Sequence, residues 1–320
     1  MYLPTTYSHA LILMGATMLA WGSWANMAKI DKKWRFELFY WDFAIGVLVA
    51  ALIFGATLGS SSFIHGVKAV ISAKSFACSP IYALFAGAIF NLANILLIAA
   101  ISIAGMAVAF PIAIGMALLL GTLLSYLILP SGLPYLLFSG VFFILLAIIL
   151  DGFAYSLSDG ATKKKKRGIG ICLFSGLLMS LFYPLLTKSM NGVDALSPYV
   201  ALFLFALGLF FSNLIMNPVF MMHPPQGTPL RARDYFRGNL FQHLWGFLGG
   251  AIWCTGMTFN VLAASVAGPA ASYAFGQGAT LVAAMWGVFV WKEFKSKSHR
   301  LITAMFLCYL IGLVLIGFAR

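Results

Sequence analysis

The chain has 320 residues, of which 62% are apolar and only 9% charged, with a net charge of +12 and a mean hydropathy of +0.97. A soluble domain carries about 25% charged residues, so this chain cannot cover a water-facing surface, which points to an all-α integral membrane protein. Alternating ten-residue strands, the signature of an outer-membrane barrel, are absent.

Ten apolar runs follow in chain order, at 9–28, 38–58, 79–101, 104–129, 133–153, 168–189, 197–222, 240–262, 265–291 and 300–318. Each meets or approaches the length of about 20 residues that crosses the hydrocarbon core as a helix. The stretches 79–129 and 240–291 are too long for one crossing, so each is read as two helices joined by a tight turn, near 102–105 and 265–268. No Lys or Arg precedes the first run and a basic cluster follows it, which suits a retained helix rather than a cleaved signal. Cys78, Cys172, Cys254 and Cys308 are scattered in or beside apolar runs with no metal spacing or disulfide framework.

Charge orients the chain. With ten crossings, the loops after runs 1, 3, 5, 7 and 9 share a side. They hold Lys29, Lys32, Lys33 and Arg35, then 163–167 (KKKKR), then Arg231, Arg233 and Arg237, then Lys292, Lys295, Lys297 and Arg300. Of the 20 Lys and Arg residues, only Lys68, Lys74, Lys188 and Arg320 fall on the other side. The positive-inside rule makes the basic loops cytoplasmic and puts both termini outside, as in a bacterial inner membrane. The charge therefore reads as topology rather than nucleic-acid binding.

The chain also repeats itself. Segment 87–102 aligns without a gap on 250–265, an offset of 163 residues. Gly87, Ala88 and Ile89 meet Gly250, Ala251 and Ile252. Further on, Ala104 and Gly105 meet Ala267 and Gly268, and Gly115 meets Gly278. This implies a duplicated unit, 1–155 and 169–320, joined by a basic linker, 156–168. Each unit has five helices, so the second enters the membrane from the opposite side. Inverted repeats of this kind are typical of secondary transporters with a site near the midplane.

Ten helices in two inverted five-helix units, with a Gly/Ala-rich fourth helix in each, resemble the drug/metabolite transporter superfamily. More locally, WGSWAN at 21–26 and RFELFYWDFAIG at 35–46 resemble its ureide permease branch, related to the glucose/ribose porters and rhamnose transporters. The resemblance implies import of a small polar solute, such as a sugar, ureide or nucleobase, coupled to protons or Na+. Plant ureide permeases carry a long central loop with a phosphate-loop-like motif. Here the linker is short and lacks G-x-x-x-x-G-K-[ST], so nucleotide use and other cofactors are not expected. Drug or metabolite efflux is the competing transport reading, and a non-transporting membrane scaffold the competing class. The expected state is a monomer or homodimer.

Polar groups inside a membrane are expensive and need a reason. Asn91 and Asn94, three apart, are expected on one face with Leu97, and Trp253, Met257 and Asn260 on the matching helix. Amides suit hydroxyl, carbonyl or ureido groups, but they also serve as interhelical glue. Pro269, Gly276 and Gly278 loosen the ninth run around Tyr273 and Gln277, again expected on one face; Phe110 is the counterpart of Tyr273. Trp21 aligns with Ser180 and Trp24 with Tyr183 at an offset of 159. If Lys29 closes the first helix, Trp24 lies about 7–8 Å and Trp21 about 12 Å above it. Trp24 can thus be a surface anchor or a cavity residue, whereas Trp21 lies deeper. Trp21, Trp24, Asn91, Asn94, Phe110, Tyr183, Trp253, Asn260, Tyr273 and Gln277 are the candidate solute contacts.

Asp42, one turn into the second helix, is the candidate for proton coupling or gating, with pairing to Lys32, Lys33 or Arg35 as the structural alternative. Asp151 is a weaker candidate, Glu37 and Glu293 are expected at the interface, and His243 near the outer edge of the eighth helix. The five histidines are dispersed, and neither H-E-x-x-H nor G-x-S-x-G occurs, so no enzyme is indicated.

Overall fold

The computed structural model describes residues 1–31, 33–72, 78–104, 106–158, 166–292 and 299–320, without the side chains of 106, 107, 110, 155, 158, 166 and 167. All regular structure in them is helical. The chain opens with α1 (Tyr7–Ser23), a 3-10 turn (Trp24–Asn26) and α2 (Met27–Ile30). Then come α3 (Phe36–Phe54), a π turn (Gly55–Gly59), α4 (Ser60–Ser72) and α5 (Cys78–Ala104). Next are α6 (Met106–Ala109), a π turn (Phe110–Ile114), α7 (Gly115–Ile128) and α8 (Pro134–Ser158). Beyond the linker lie α9 (Lys166–Ser189), α10 (Pro198–Met222), the short α11 (Ala232–Tyr235) and α12 (Leu240–Ala267). Last come α13 (Pro269–Gly276), α14 (Ala279–Met285), a π turn (Trp286–Val290) and α15 (His299–Gly317).

Among the described residues, nine helices are long and apolar enough to cross a membrane. The first apolar run corresponds to α1, whose 17 residues are continued by the 3-10 turn and α2. The core of the linker, 159–165, lies outside the described residues, as does Glu293.

Local chemistry sets the boundaries. Ser197 caps α10 ahead of Pro198 at the first turn, and Asn239 and Gln242 form a capping box on α12. Gly268, at φ 84°, turns the chain sharply between α12 and Pro269. The expected corner at 265–268 is therefore real. For its expected counterpart near 102–105, α5 ends at Ala104 and α6 begins at Met106, and Gly105 lies outside the described residues. The second run, expected to end at 58, instead continues through a π turn. Ser60 at φ 52° then redirects the chain into α4. There Phe63 is buried over Gly55 and Gly59, beside Tyr199.

Helix pairing is reciprocal. α5 packs on α9 and α10, while α12 packs on α1 and α3; α7 packs on α9, while α14 packs on α1. The closest crossings fall at glycines. A methyl on Gly87 would strike the carbonyl of Phe205, and one on Gly208 that of Leu84. In the same manner Gly250 faces the carbonyl of Phe43, and Gly46 that of Phe247. Small residues let backbones approach where lipid supplies no hydrophobic drive between helices.

The two ends of the bundle differ. Lys29, Arg35, Arg231 and Lys292 lie in segments tied together at one end. There Arg35 donates to the carbonyls of Thr228 and Gln226, Gln242 to Asp31, and Trp291 to Asn26. The termini meet at the other end, where Tyr7 Oη donates to Gly317 O, Leu133 N to Ala319 O and Tyr199 Oη to Tyr2 O.

Candidate functional site

A cavity of about 350 Å³ lies between α1, α5, α9, α12 and α14 and reaches toward the basic end. Trp21, Trp253 and Gln277 stand deep in it, and Trp24, Lys29 and Ile101 near its basic end. Aromatic faces dominate its wall. Trp21 stacks on Trp253 at 6.2 Å, with planes 15° apart, and its Nε1 donates to Trp253 O at 3.2 Å. Trp253 also meets Phe90 at 4.3 Å between ring centres. Trp24 leans on Phe43 at 4.8 Å while lining the cavity. Gly256 and Gly276 leave room for the Trp21 indole.

The polar groups in the wall are few. Asn94, almost fully buried, donates to Tyr40 Oη at 3.1 Å. Gln277 caps α13, where the helix breaks before Gly278, and Thr280 follows one turn later. An apolar pocket with a few placed amides is the usual form of a small-molecule site, in which the polar groups fix orientation. No group of three or more His, Cys, Asp or Glu side chains able to hold a metal ion occurs among the described residues.

Five sequence candidates, Trp21, Trp24, Asn94, Trp253 and Gln277, thus meet in one cavity. Four others sit elsewhere. Asn91 turns to α10, donating to Ser212 Oγ at 3.0 Å and toward Met216 Sδ. Asn260 donates to Ser272 O at 2.8 Å while Ser272 Oγ donates to Asn260 O at 2.7 Å, a reciprocal clasp across the α12–α13 corner. Tyr183 and Tyr273 stack at 4.7 Å in a buried layer behind Phe182, which lines the cavity. Phe110 begins a π turn, and its side chain lies outside the described residues.

The cavity face of α5 consists of Phe90, Asn94, Leu97, Ile98 and Ile101. At about 100° per residue these span an arc of about 100°, and Asn91 stands just past its edge. Sequence spacing pairs Asn91 with Asn94 but does not fix where the arc ends. Phe90 was reachable from the sequence, since it is one turn before Asn94. Phe182 and Tyr40 carried no comparable signal, because an aromatic residue in an apolar run is ordinary core.

Asp42 is not in the cavity wall but in a separate cluster at the basic end. It is 5% exposed and pairs with His243 Nδ1 at 2.9 Å. Tyr235 Oη donates to its other oxygen at 2.6 Å. Trp34 and Tyr235 stand edge-on to the His243 ring, and Gly246 makes the space that Asp42 occupies. Of the cations expected as alternative partners of Asp42, Lys32 lies outside the described residues; the partners found are His243 and Tyr235, and His243 lies at the opposite end of α12 from the one expected. The reason is simple. α12 begins directly after the loop of Arg231–Arg237, so its first turn belongs to the basic end. Burial, then the Asp42 carboxylate, push the Tyr235 phenol well above its ordinary range, so it stays a donor. Glu37, expected at the interface, is buried and held by Arg35 Nε at 3.2 Å.

Comparison with known proteins places these features. The model of the family described as "Sugar transport protein" matches residues 42–319. Ureide permease 1 of Arabidopsis thaliana is 23% identical over 99% of this chain and 98% of its own length. Ureide permease 2 of the same plant is 30% identical, but the match covers 45% of this chain and 38% of that protein. One solved crystal structure shares the fold at a TM-score of 0.62 and 15% identity, covering 98% of this chain and 99% of the other.

Proposed function

The chain belongs to the sugar transport protein family, and from that premise we propose that it imports a small polar solute by alternating access. Membership makes it an integral membrane transporter and not an enzyme. The observation that carries the proposal is the cavity itself. Indole and phenyl faces offer stacking to a flat ring or to the C–H face of a sugar. Asn94, Gln277 and Thr280 offer donors and acceptors without net charge. Apart from Lys29 near the basic end, such a wall suits an uncharged sugar, ureide or nucleobase.

Under this proposal the carrier has ten spans, α1 with α2 serving as the first. They form two inverted units, 1–155 and 169–320. Reciprocal helix pairing and the matched glycine crossings support that reading, with Gly87 and Gly250 163 positions apart and Gly46 and Gly208 162 apart. The basic end faces the cytoplasm of a bacterial inner membrane and both termini face out, so the cavity is reached from inside.

Asp42 and His243 are the coupling or gating pair. They join α3 of the first unit to α12 and the α11 loop of the second, where a rocking motion must break or keep contacts.

Proteoliposomes test this directly. Uptake of labelled monosaccharide, uracil and allantoin is measured with and without a pH gradient. Accumulation of at least one class, enhanced by an acid outside, supports proton-coupled import. Expulsion of solute from inside-loaded vesicles with no uptake would replace import by efflux.

A further inference from the structure

A second cavity, of about 500 Å³, opens at the basic end between the close of α10 and the segment that carries α11. Its wall is almost wholly apolar, built by Trp41, Met221, Leu230 and Phe236, with Tyr235 at its inner side and Arg231 at its rim. Met222 belongs both to this wall and to an outward face of α10 on which Ile215, Val219 and Met222 are 72%, 52% and 52% exposed. The mouth therefore faces the side where lipid chains lie.

The rim has the opposite chemistry. Arg231, Arg233 and Arg237 are all exposed within one short loop, and Phe236 among them is 80% exposed. Asp234, the acid of the loop, accepts from the Arg231 backbone N–H at 2.8 Å and pairs with Arg237 at 3.7 Å. Neither Arg231 nor Arg233 forms a salt bridge among the described residues. An apolar slot open to lipid with uncommitted guanidinium groups at its mouth matches one kind of molecule, an acyl chain that ends in an anionic phosphate.

We propose that this cavity binds the acyl chain of an anionic phospholipid, with Arg231 and Arg233 on its phosphate. The bound chain packs against Trp41 and Tyr235. Trp41 Nε1 donates to Met221 Sδ at 3.2 Å, and Tyr235 Oη to Asp42 at 2.6 Å. Lipid occupancy thus stiffens the loop that holds the Asp42–His243 pair. The site itself stands whatever solute the central cavity takes.

The test is native mass spectrometry of the full chain released from micelles with phosphatidylglycerol or phosphatidylcholine of identical acyl chains. Phosphatidylglycerol should be retained about tenfold better. Arg231→Gln and Arg233→Gln should each weaken it about fivefold, the worth of one basic residue at an anionic surface. Ala232→Trp, which fills the rim, should lower retention of both lipids, and Lys68→Gln at the other end should change nothing. If Ala232→Trp does not fold, the arginine variants decide alone. Equal retention of the two lipids, or no loss in the arginine variants, overturns the site. Displacement of the lipid by millimolar glycerol phosphate would assign the arginines to a free anion instead.

Discussion

Asp42 shows how a single residue can be found in the sequence and still be misjudged in its company. A carboxylate one turn into an apolar helix must be explained, and Lys32, Lys33 and Arg35 were the nearby cations. The structure supplies His243 and Tyr235, which lie about 200 residues away in sequence and could not be paired by spacing. Replacing Asp42 with Asn keeps the size and one acceptor but removes the charge. We expect Asp42→Asn to abolish gradient-driven accumulation while sparing solute exchange; accumulation that persists would reduce the pair to a structural latch. His243→Ala removes one of the two partners of the Asp42 carboxylate and leaves the Tyr235 hydroxyl. Removing one partner of a fully buried pair costs about 3–5 kcal/mol, and the partial exposure of His243 lowers this to about 1–3, read as a fall in Tm. Asp31 gives the pH signature. A hydrogen bond from Gln242 at 2.7 Å, then the Lys33 N–H, hold its carboxyl below the ordinary 3.8. A depressed folded pKa means the stabilisation is present above pH 3.8 and lost as pH falls through the lowered value. Asp31→Asn should therefore flatten the stability profile below about pH 4 and leave the neutral limb with the same slope.

At the scale of elements, glycine placement carries the packing. Gly46 and Gly250 bring α3 and α12 into contact, and Gly87 and Gly208 do the same for α5 and α10. The atoms in the way of a side chain are backbone carbonyls, which cannot rotate aside as a flexible side chain would. Gly250→Leu should destabilise by about 3 kcal/mol, the upper part of the overpacking range, and lower Tm in detergent. Gly15, whose added Cβ meets nothing within 4 Å, should accept alanine with no loss. Equal tolerance at both sites would remove the crossing from the account. Most elements were legible because apolar length and Gly/Pro punctuation act locally. α4 was not, since Gly55, Gly59 and the serines after it read as a loop. The chain instead uses a π turn and one positive φ at Ser60 to continue in helix. The break at Gln277 was legible from its flanking glycines. Its consequence was not: Gln277 N–H still bonds Tyr273 O in the last turn of α13, yet Tyr273 packs on Tyr183 while Gln277 lines the cavity.

The whole molecule is a transporter with an aromatic and amide-lined cavity between helices from both halves of the chain. Composition alone placed it in the membrane, and the offset between 87–102 and 250–265 suggested two units. About half of the candidate contacts gather in the cavity. Asn91, Asn260, Tyr183 and Tyr273 make contacts between helices instead, since in lipid an amide is as useful for joining helices as for holding a solute. That ambiguity is physical and cannot be removed by pattern. The direct measurement is counterflow in proteoliposomes, using whichever solute class is taken up. A carrier that alternates around a single site predicts that unlabelled solute inside accelerates entry of labelled solute. Trp21→Ala should weaken half-saturation by about tenfold, a loss of about 1.4 kcal/mol from an aromatic contact, while the protein keeps its fold. Entry that ignores the internal solute, or a Trp21→Ala variant with unchanged half-saturation, would contradict the account.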